Sequence, residues 1–370
     1  MDTQKVSLKE ALSNIEEFRQ AQGLRYSLLS ILLLACVAMM CGARSESAIA
    51  EWGRNYGHKW LRRLGIKRKT SPSQSTIHRV FKGIDVVALE RAISRWAESV
   101  LGEPEPLEAI AVDGKALKGA IKQGARDAYL LSAVSHRLAT VLAQVAVTDR
   151  TNEIGQMPDL LEQLVLTGLV VTADAMHTQA ATAQTILDAG GDYLFVVKEN
   201  QPTLLREIEL VFETSKLAET VSQASSTTTH GSRIETRAIA VSSAMHGLSD
   251  WPGLFQVMKL DRTVMTKTTG EIREETVYGV TSLSSQQARP NQLNELWRGH
   301  WTIENKVHWV RDVTFDEDRS TVRSGNAPQA MTAIRNIVIS LLRLRKVTNI
   351  AAALRKYAAQ PVLAFTALGI

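Results

Sequence analysis

Leu107-Glu108-Ala109-Ile110-Ala111-Val112-Asp113-Gly114-Lys115 is an apolar run that ends on a carboxylate followed by flexible backbone. Such a run, bounded by turn residues, reads as a short buried strand with its acid at the sheet edge. The pattern returns downstream, where Leu169 to Thr172 leads into Ala173-Asp174-Ala175-Met176-His177. An acid at one strand end is an ordinary turn or cap residue. Two acids at the ends of neighbouring strands can share a cation, which offsets their mutual repulsion.

Working outward, Tyr129 to Ser135 and Thr140 to Val147 read as two further strands, Ile154 to Leu164 and Gln179 to Ala189 as helices, and Tyr193 to Val197 as another buried strand. The order is three strands, helix, strand, helix, strand. Three strands able to form an antiparallel meander, followed by helix-connected strands, predict an α/β fold of ribonuclease H type, a mixed sheet covered by helices. From about 203 to 289 the composition shifts to a β-rich insertion, with Ile234 to Val241, Gln256 to Thr266 and Glu271 to Thr281 as strands. Helix resumes from Asn291 through Arg311 and from Ala330 to Lys346.

Upstream, residues 1 to 105 read as an all-helical domain, closed by the linker Gly102-Glu103-Pro104-Glu105-Pro106; the catalytic domain then spans 106 to 370. Its segments are Ser7 to Arg19, the uncharged run Tyr26 to Ala43, Ser45 to Trp60 and Ile84 to Leu101. Ser71 to Thr76 supplies capping residues for a helix starting near Ser75, which suits a helix-turn-helix unit presenting Arg79 and Lys82 to DNA. The uncharged run is at the lower limit for a membrane span. It follows a polar, partly acidic stretch and is interrupted by Cys, Ser and Gly, so a buried bundle helix is expected, with no membrane partner.

Of 370 residues, 45% are hydrophobic and 22% charged, the balance of a folded chain. Cys36 and Cys41 are the only cysteines, which excludes a disulfide framework and a four-cysteine zinc site and fits a cytoplasmic location. Charge is uneven. Trp52 to Ile84 holds nine bases and no acid, among them Lys67, Arg68, Lys69, Arg79 and Lys82, and Arg319 to Ile370 holds eight more, again with no acid. Two basic segments flanking a net acidic middle suit a polyanion partner and a cation site.

A third acid lies in Trp297-Arg298-Gly299-His300-Trp301-Thr302-Ile303-Glu304-Asn305-Lys306-Val307-His308-Trp309-Val310-Arg311-Asp312. At α-helical spacing Trp297, His300, Glu304, His308 and Arg311 share one face, which predicts a stripe turned toward a site or DNA. Three carboxylates suit phosphodiester hydrolysis and transesterification with two divalent ions, and oxygen ligands favour Mg2+ or Mn2+.

Ala111 to Lys115, Asn152-Glu153-Ile154, Thr172 to Gln179, Asp192-Tyr193, Val197 to Gln201, and His300 to Asn305 with His308-Trp309 and Asp312 to Asp318 resemble the H-repeat-associated (ISAs-type) insertion-sequence transposases. The segments Tyr26 to Trp52 and Pro72 to Phe81 resemble that family's associated domain. The resemblance implies a DDE transposase whose catalytic, metal-binding triad is Asp113, Asp174 and Glu304, acting on double-stranded DNA at element ends and targets. It implies DNA transposition and recombination as a homodimer on DNA. The wider superfamily carries Tyr-x2-Arg-x3-Glu-x6-Lys around its glutamate, and the same spacing here reads Trp297, His300, Glu304, Arg311. Lys198 and Asn200 are further expected DNA contacts by strand order. A domesticated nuclease that cuts without inserting, and a non-catalytic DNA-binding regulator, are the rival readings.

Overall fold

The computed structural model describes residues 6–22, 24–122, 128–147, 153–214 and 221–370. Contacts divide the chain into two units: Met1–Glu103 with Gly114–Leu164 and Thr302–Ile370, and Pro104–Asp113 with Val165–Trp301.

In the first unit the N-terminal helices are α1 (Leu8–Ser13), α2 (Leu28–Met40), α3 (Glu46–Arg63), α4 (Gln74–Gly83) and α5 (Val86–Leu101). Each begins where a polar side chain accepts an N–H of the first turn: Ser7, Ser27, Ser45, Ser73 and Asp85 in order. The uncharged run forms α2, which is apolar all round because it is buried all round, against α3, the long C-terminal helix α11 (Ala327–Leu344), α12 (Ile350–Ala359) and α13 (Val362–Leu368). Its 13 residues extend only about 20 Å at 1.5 Å per residue. Among the described residues no helix is long and apolar enough to cross a membrane. Cys36 and Cys41 are free and buried, and burial pushes both thiols up to about 12. The hairpin β2 (Tyr129–Ser135) and β3 (Val141–Val147), with α6 (Lys118–Lys122) and α7 (Glu153–Leu161), belongs to the same unit, and α5 and α11 both pack on β3.

The second unit carries β4 (Val170–Ala173), α8 (Ala180–Asp188), β5 (Asp192–Val197), α9 (Pro202–Glu213), β6 (Ser222–His230), β7 (Arg233–Ser242), β8 (Gln256–Thr266), β9 (Ile272–Thr281) and α10 (Pro290–Gly299). β1 (Ala109–Ala116) runs through the division between the units. The strand order is β3-β2-β1-β4-β5-β9-β8-β7-β6. β1, β4 and β5 are parallel, and β2 and β3 pair antiparallel. That is the ribonuclease H arrangement, a mixed sheet flanked by helices and preceded in the chain by a helical region.

The β-rich insertion does not build a sheet of its own. β9 pairs antiparallel with β5, Phe195 opposite Val280, so the four later strands extend the sheet that carries the acids. β6 was not expected; Ser222-Gln-Ala-Ser-Ser-Thr-Thr-Thr-His230 lacks apolar alternation because it is an edge strand with mostly solvated faces. Ile239, Met258, Leu260, Leu293 and Trp297 share one core with Val170, Leu194 and Val196 of the parallel strands. Gly279 is required there, since a Cβ would lie 2.7 Å from the Trp297 ring and 2.9 Å from the Phe195 carbonyl oxygen.

Candidate active site

The two strand-end acids are set by register. β1 and β4 pair through Ala109 with Val170 and onward to Val112 with Ala173, so Asp113 and Asp174 are the next residues of two adjacent parallel strands. Strands in one sheet stand about 4.8 Å apart. Ile110, Ala111 and Val112 are wholly buried, which fixes the strand and makes Asp113 its first partly exposed residue. Asp174 is exposed and its Oδ1 accepts the Ala175 N–H at 2.8 Å, starting the short turn Ala175–His177.

That turn is braced. Thr178 Oγ1 donates to the Val196 carbonyl of β5 at 2.6 Å, Asn200 Nδ2 donates to the Ala175 carbonyl at 2.6 Å, and Gln201 Nε2 donates to Thr178 O at 3.0 Å. Asn200, expected as a DNA contact, therefore uses its amide to hold the loop behind Asp174. Lys198 stands exposed at the start of the same loop. Thr172 Oγ1 lies 3.1 Å from both the Ile110 carbonyl and Nδ1 of the half-buried His300. His177 is buried. Burial lowers its basicity and His300 adds to that, while the fields of Asp113 and Asp174 act in the opposite sense without overcoming it. Thr172 and His177 were inside the quoted motif, but spacing alone gave neither a role.

In the first unit, Glu304 is exposed and its Oε2 lies 3.2 Å from Nδ1 of the buried His308. The backbone here is not α-helical. Trp309 N–H bonds Glu304 O and Phe315 N–H bonds Val310 O, each five residues back, so the chain is wound as π-helix over Glu304–His308 and Val310–Thr314. The expected stripe is consequently broken. α10 ends at Gly299, and Trp297, only 5% exposed, is a core residue of the second unit. Arg311 turns inward to zero exposure, its Nη2 2.7 Å and Nε 2.8 Å from Glu317, which also takes Arg335 Nη1 and Thr332 Oγ1, both at 2.8 Å. Neither Trp297 nor Arg311 is placed to touch DNA, and Arg335 drops out of the basic C-terminal surface. Burial alone would raise Glu317, but the two guanidinium groups outweigh it and hold the carboxyl down at about 2. The outward aromatics of this stretch are instead Trp301 and Trp309.

Gly114, the residue after Asp113, belongs to the first unit and is packed under Glu153: a Cβ there would lie 2.2 Å from Glu153 Oε2. Asn152, quoted with Glu153, falls outside the described residues. Lys115 Nζ is taken by Asp312 Oδ2 at 2.6 Å. In the N-terminal part of the first unit Lys67, Arg68 and Lys69, between α3 and α4, and Arg79 and Lys82, on α4, are all exposed. The backbone at the end of α4 is tied down, Lys82 O accepting the Asn326 N–H at 3.2 Å.

Comparison with known proteins gives the family of the chain. Residues 104–341 match the family described as "Transposase DDE domain", and residues 9–97 match "DDE_Tnp_1-associated". The chain belongs to the DDE transposases. YncI of Escherichia coli O157:H7, which carries a transposase name, is 32% identical to this transposase over 348 residues, 91% of this chain and 87% of that one. The H repeat-associated protein YhhI of Escherichia coli (strain K12) is 31% identical over 350 residues, 92% of this chain and 91% of that one. Among solved structures, the cryo-EM structure of the piggyBac transposase synaptic complex with hairpin DNA aligns at a TM-score of 0.42 and 11% identity, covering 97% of this chain and 77% of that one, a distant likeness. The resemblance read from the sequence is therefore to the right family, and this transposase is an enzyme of the DDE class.

Proposed function

We propose that this transposase cuts and rejoins double-stranded DNA at the ends of an insertion sequence, with Asp113, Asp174 and Glu304 as its catalytic carboxylates. The observation that carries the reading is the parallel register of β1 and β4, in which Asp113 and Asp174 directly follow the last paired residues, Val112 and Ala173, in a chain of the DDE family. Glu304 supports it as the exposed acid of the π-wound segment, a winding that recurs at functional sites.

Enzymes of this class use divalent metal ions, and the residues fit such ions. The donors are hard carboxylate oxygens, with the His308 imidazole next to Glu304 as an added nitrogen, a set suited to Mg2+ or Mn2+. When bound, two such ions activate an attacking oxygen and stabilise the leaving 3′-oxygen of a phosphodiester. The protein's own part is to hold the acids. The Ala175 N–H fixes one oxygen of Asp174, the Asn200 and Gln201 amides fix the turn behind it, and His308 orients Glu304. The exposed bases of the N-terminal helices serve as phosphate contacts, Arg79 and Lys82 on α4 among them, and holding two element ends at once calls for two copies of the chain on DNA.

The test is Glu304→Gln, assayed on DNA carrying the ends that flank the gene, with Mg2+. Removal of one carboxylate charge leaves folding and DNA binding intact and lowers cleavage on the order of a thousandfold or more. Asp113→Asn and Asp174→Asn behave alike, and double variants are little worse than single ones. Cleavage and joining by Glu304→Gln at the parental rate would refute the triad.

A further inference from the structure

The π-wound segment bearing Glu304 also forms one wall of a groove of about 770 Å³ that lies wholly within the first unit. Its lining includes Arg44, Arg137, Lys306, Arg343 and Lys346 and, among the described residues, not one aspartate or glutamate. Arg343 builds the groove: Nη1 donates to Val347 O and Thr348 O, both at 2.9 Å, and Nη2 reaches Lys306 O at 3.4 Å, joining the loop after α11 to the π-wound wall. The other four bases are exposed along it.

Trp309, 54% exposed, lines the same groove. A lone exposed aromatic means little. An exposed indole in a groove also lined by cations, with no acid among its described residues, selects a ligand that is both flat and polyanionic. A base with its flanking phosphates meets both requirements, because stacking on an aromatic face is tolerant of sequence and cationic walls track the backbone. In a duplex the base faces are hidden by their neighbours, so the base that stacks must be unpaired.

We propose that this groove holds a short unpaired stretch of a DNA strand, one base stacked on Trp309 and adjacent phosphates on Arg44, Arg137, Lys306 and Lys346. The inference takes its polymer from the DNA-cleaving reading above, but its test does not depend on catalysis.

Binding of the full chain to a fluorescent sixteen-residue oligo(dT), and to the same sugar-phosphate chain without bases, is measured by anisotropy with chelator present and no divalent metal. The parent binds the base-bearing strand more tightly. Trp309→Ala weakens that binding roughly five- to a hundredfold and leaves the abasic strand unchanged, whereas Trp309→Phe keeps most of the affinity. Lys306→Ala with Lys346→Ala weakens both strands and flattens the log–log salt slope by roughly 1.4 units. Equal affinity of Trp309→Ala and parent for oligo(dT), or no parental preference for the base-bearing strand, would overturn the proposal. A stacking effect that persists when Glu304→Gln still cleaves sinks the triad alone; loss of the effect while Glu304→Gln is inactive sinks the groove alone.

Discussion

Glu317 offers the sharpest energetic test, because from sequence it is merely another acid near Glu304 and an apt mild control. The structure gives it the opposite standing. Its carboxylate is buried and holds Arg311, Arg335 and the Thr332 hydroxyl within 2.9 Å. Glu317→Gln keeps the shape but leaves two guanidinium groups in the interior with no counter-charge. Breaking a buried ion pair from one side costs about 3–5 kcal/mol. A cooperative unit of 150–250 residues loses roughly 2–4 °C of melting temperature per kcal/mol, so a drop of roughly 6–20 °C is expected. Calorimetry or thermal circular dichroism at pH 7 reads this directly, with Glu304→Gln as the comparison that should melt like the parent. The variant pair thus separates two acids 13 positions apart, one needed for the fold and one for the chemistry. A Glu317→Gln protein melting within about 2 °C of the parent would refute the argument. The same ion cluster sets acid sensitivity: the folded carboxyl titrates near 2 against about 4.5 in the unfolded chain, so its contribution is complete above pH 4.5 and is lost as pH falls toward 2.

Glu90 should act in the other direction. Burial pushes its carboxyl up to about 8 despite the hydrogen bond from Gln144 Nε2 at 2.7 Å, so the folded chain holds a proton that the unfolded chain releases near 4.5. Stability then declines as pH rises from 4.5 through 8, and chemical denaturation at pH 6 and 9 should show that decline shrinking in Glu90→Gln. Replacing Lys67, Arg68 and Lys69 with alanine should flatten the salt dependence of duplex binding by up to roughly three log–log units; an unchanged slope would make them plain solvated residues. Gly114→Ala forces a methyl against Glu153 beside Asp113, and a displacement of about 1 Å there is expected to slow cleavage on the order of a hundredfold, measured against a melting curve that shows the protein still folded.

The site was legible in the sequence where local pattern and tertiary role coincide. The fully buried run of each strand stops just before its acid, so Asp113 and Asp174 announced both strands, although β1 runs on past Asp113 to Ala116. The capped start of α4 was legible for the same local reason. Trp297 and Arg311 were placed on one stripe by 3.6 residues per turn across Gly299 to Thr314, whereas the helix stops and resumes with wider winding that only tertiary packing selects. Arg335 was counted among surface bases since nothing near it in sequence reveals that Glu317 lies against it. Asn200 looked like a contact for an outside partner because its carbonyl targets, at Ala175 and Thr178, lie more than twenty positions away.

The insertion's attachment to the edge of the sheet has a practical side. Because β9 is stitched to β5 along Leu194–Val197, the base of the insertion is fixed, while its far turns at Gly231 and Gly270 open onto empty space. Length can therefore change at those tips without disturbing the register at the base. A tetracysteine tag or small fluorescent reporter spliced in at Thr269-Gly270 gives a labelled protein for watching assembly on DNA in real time, reporting from the side of the sheet toward which β4 and β5 run.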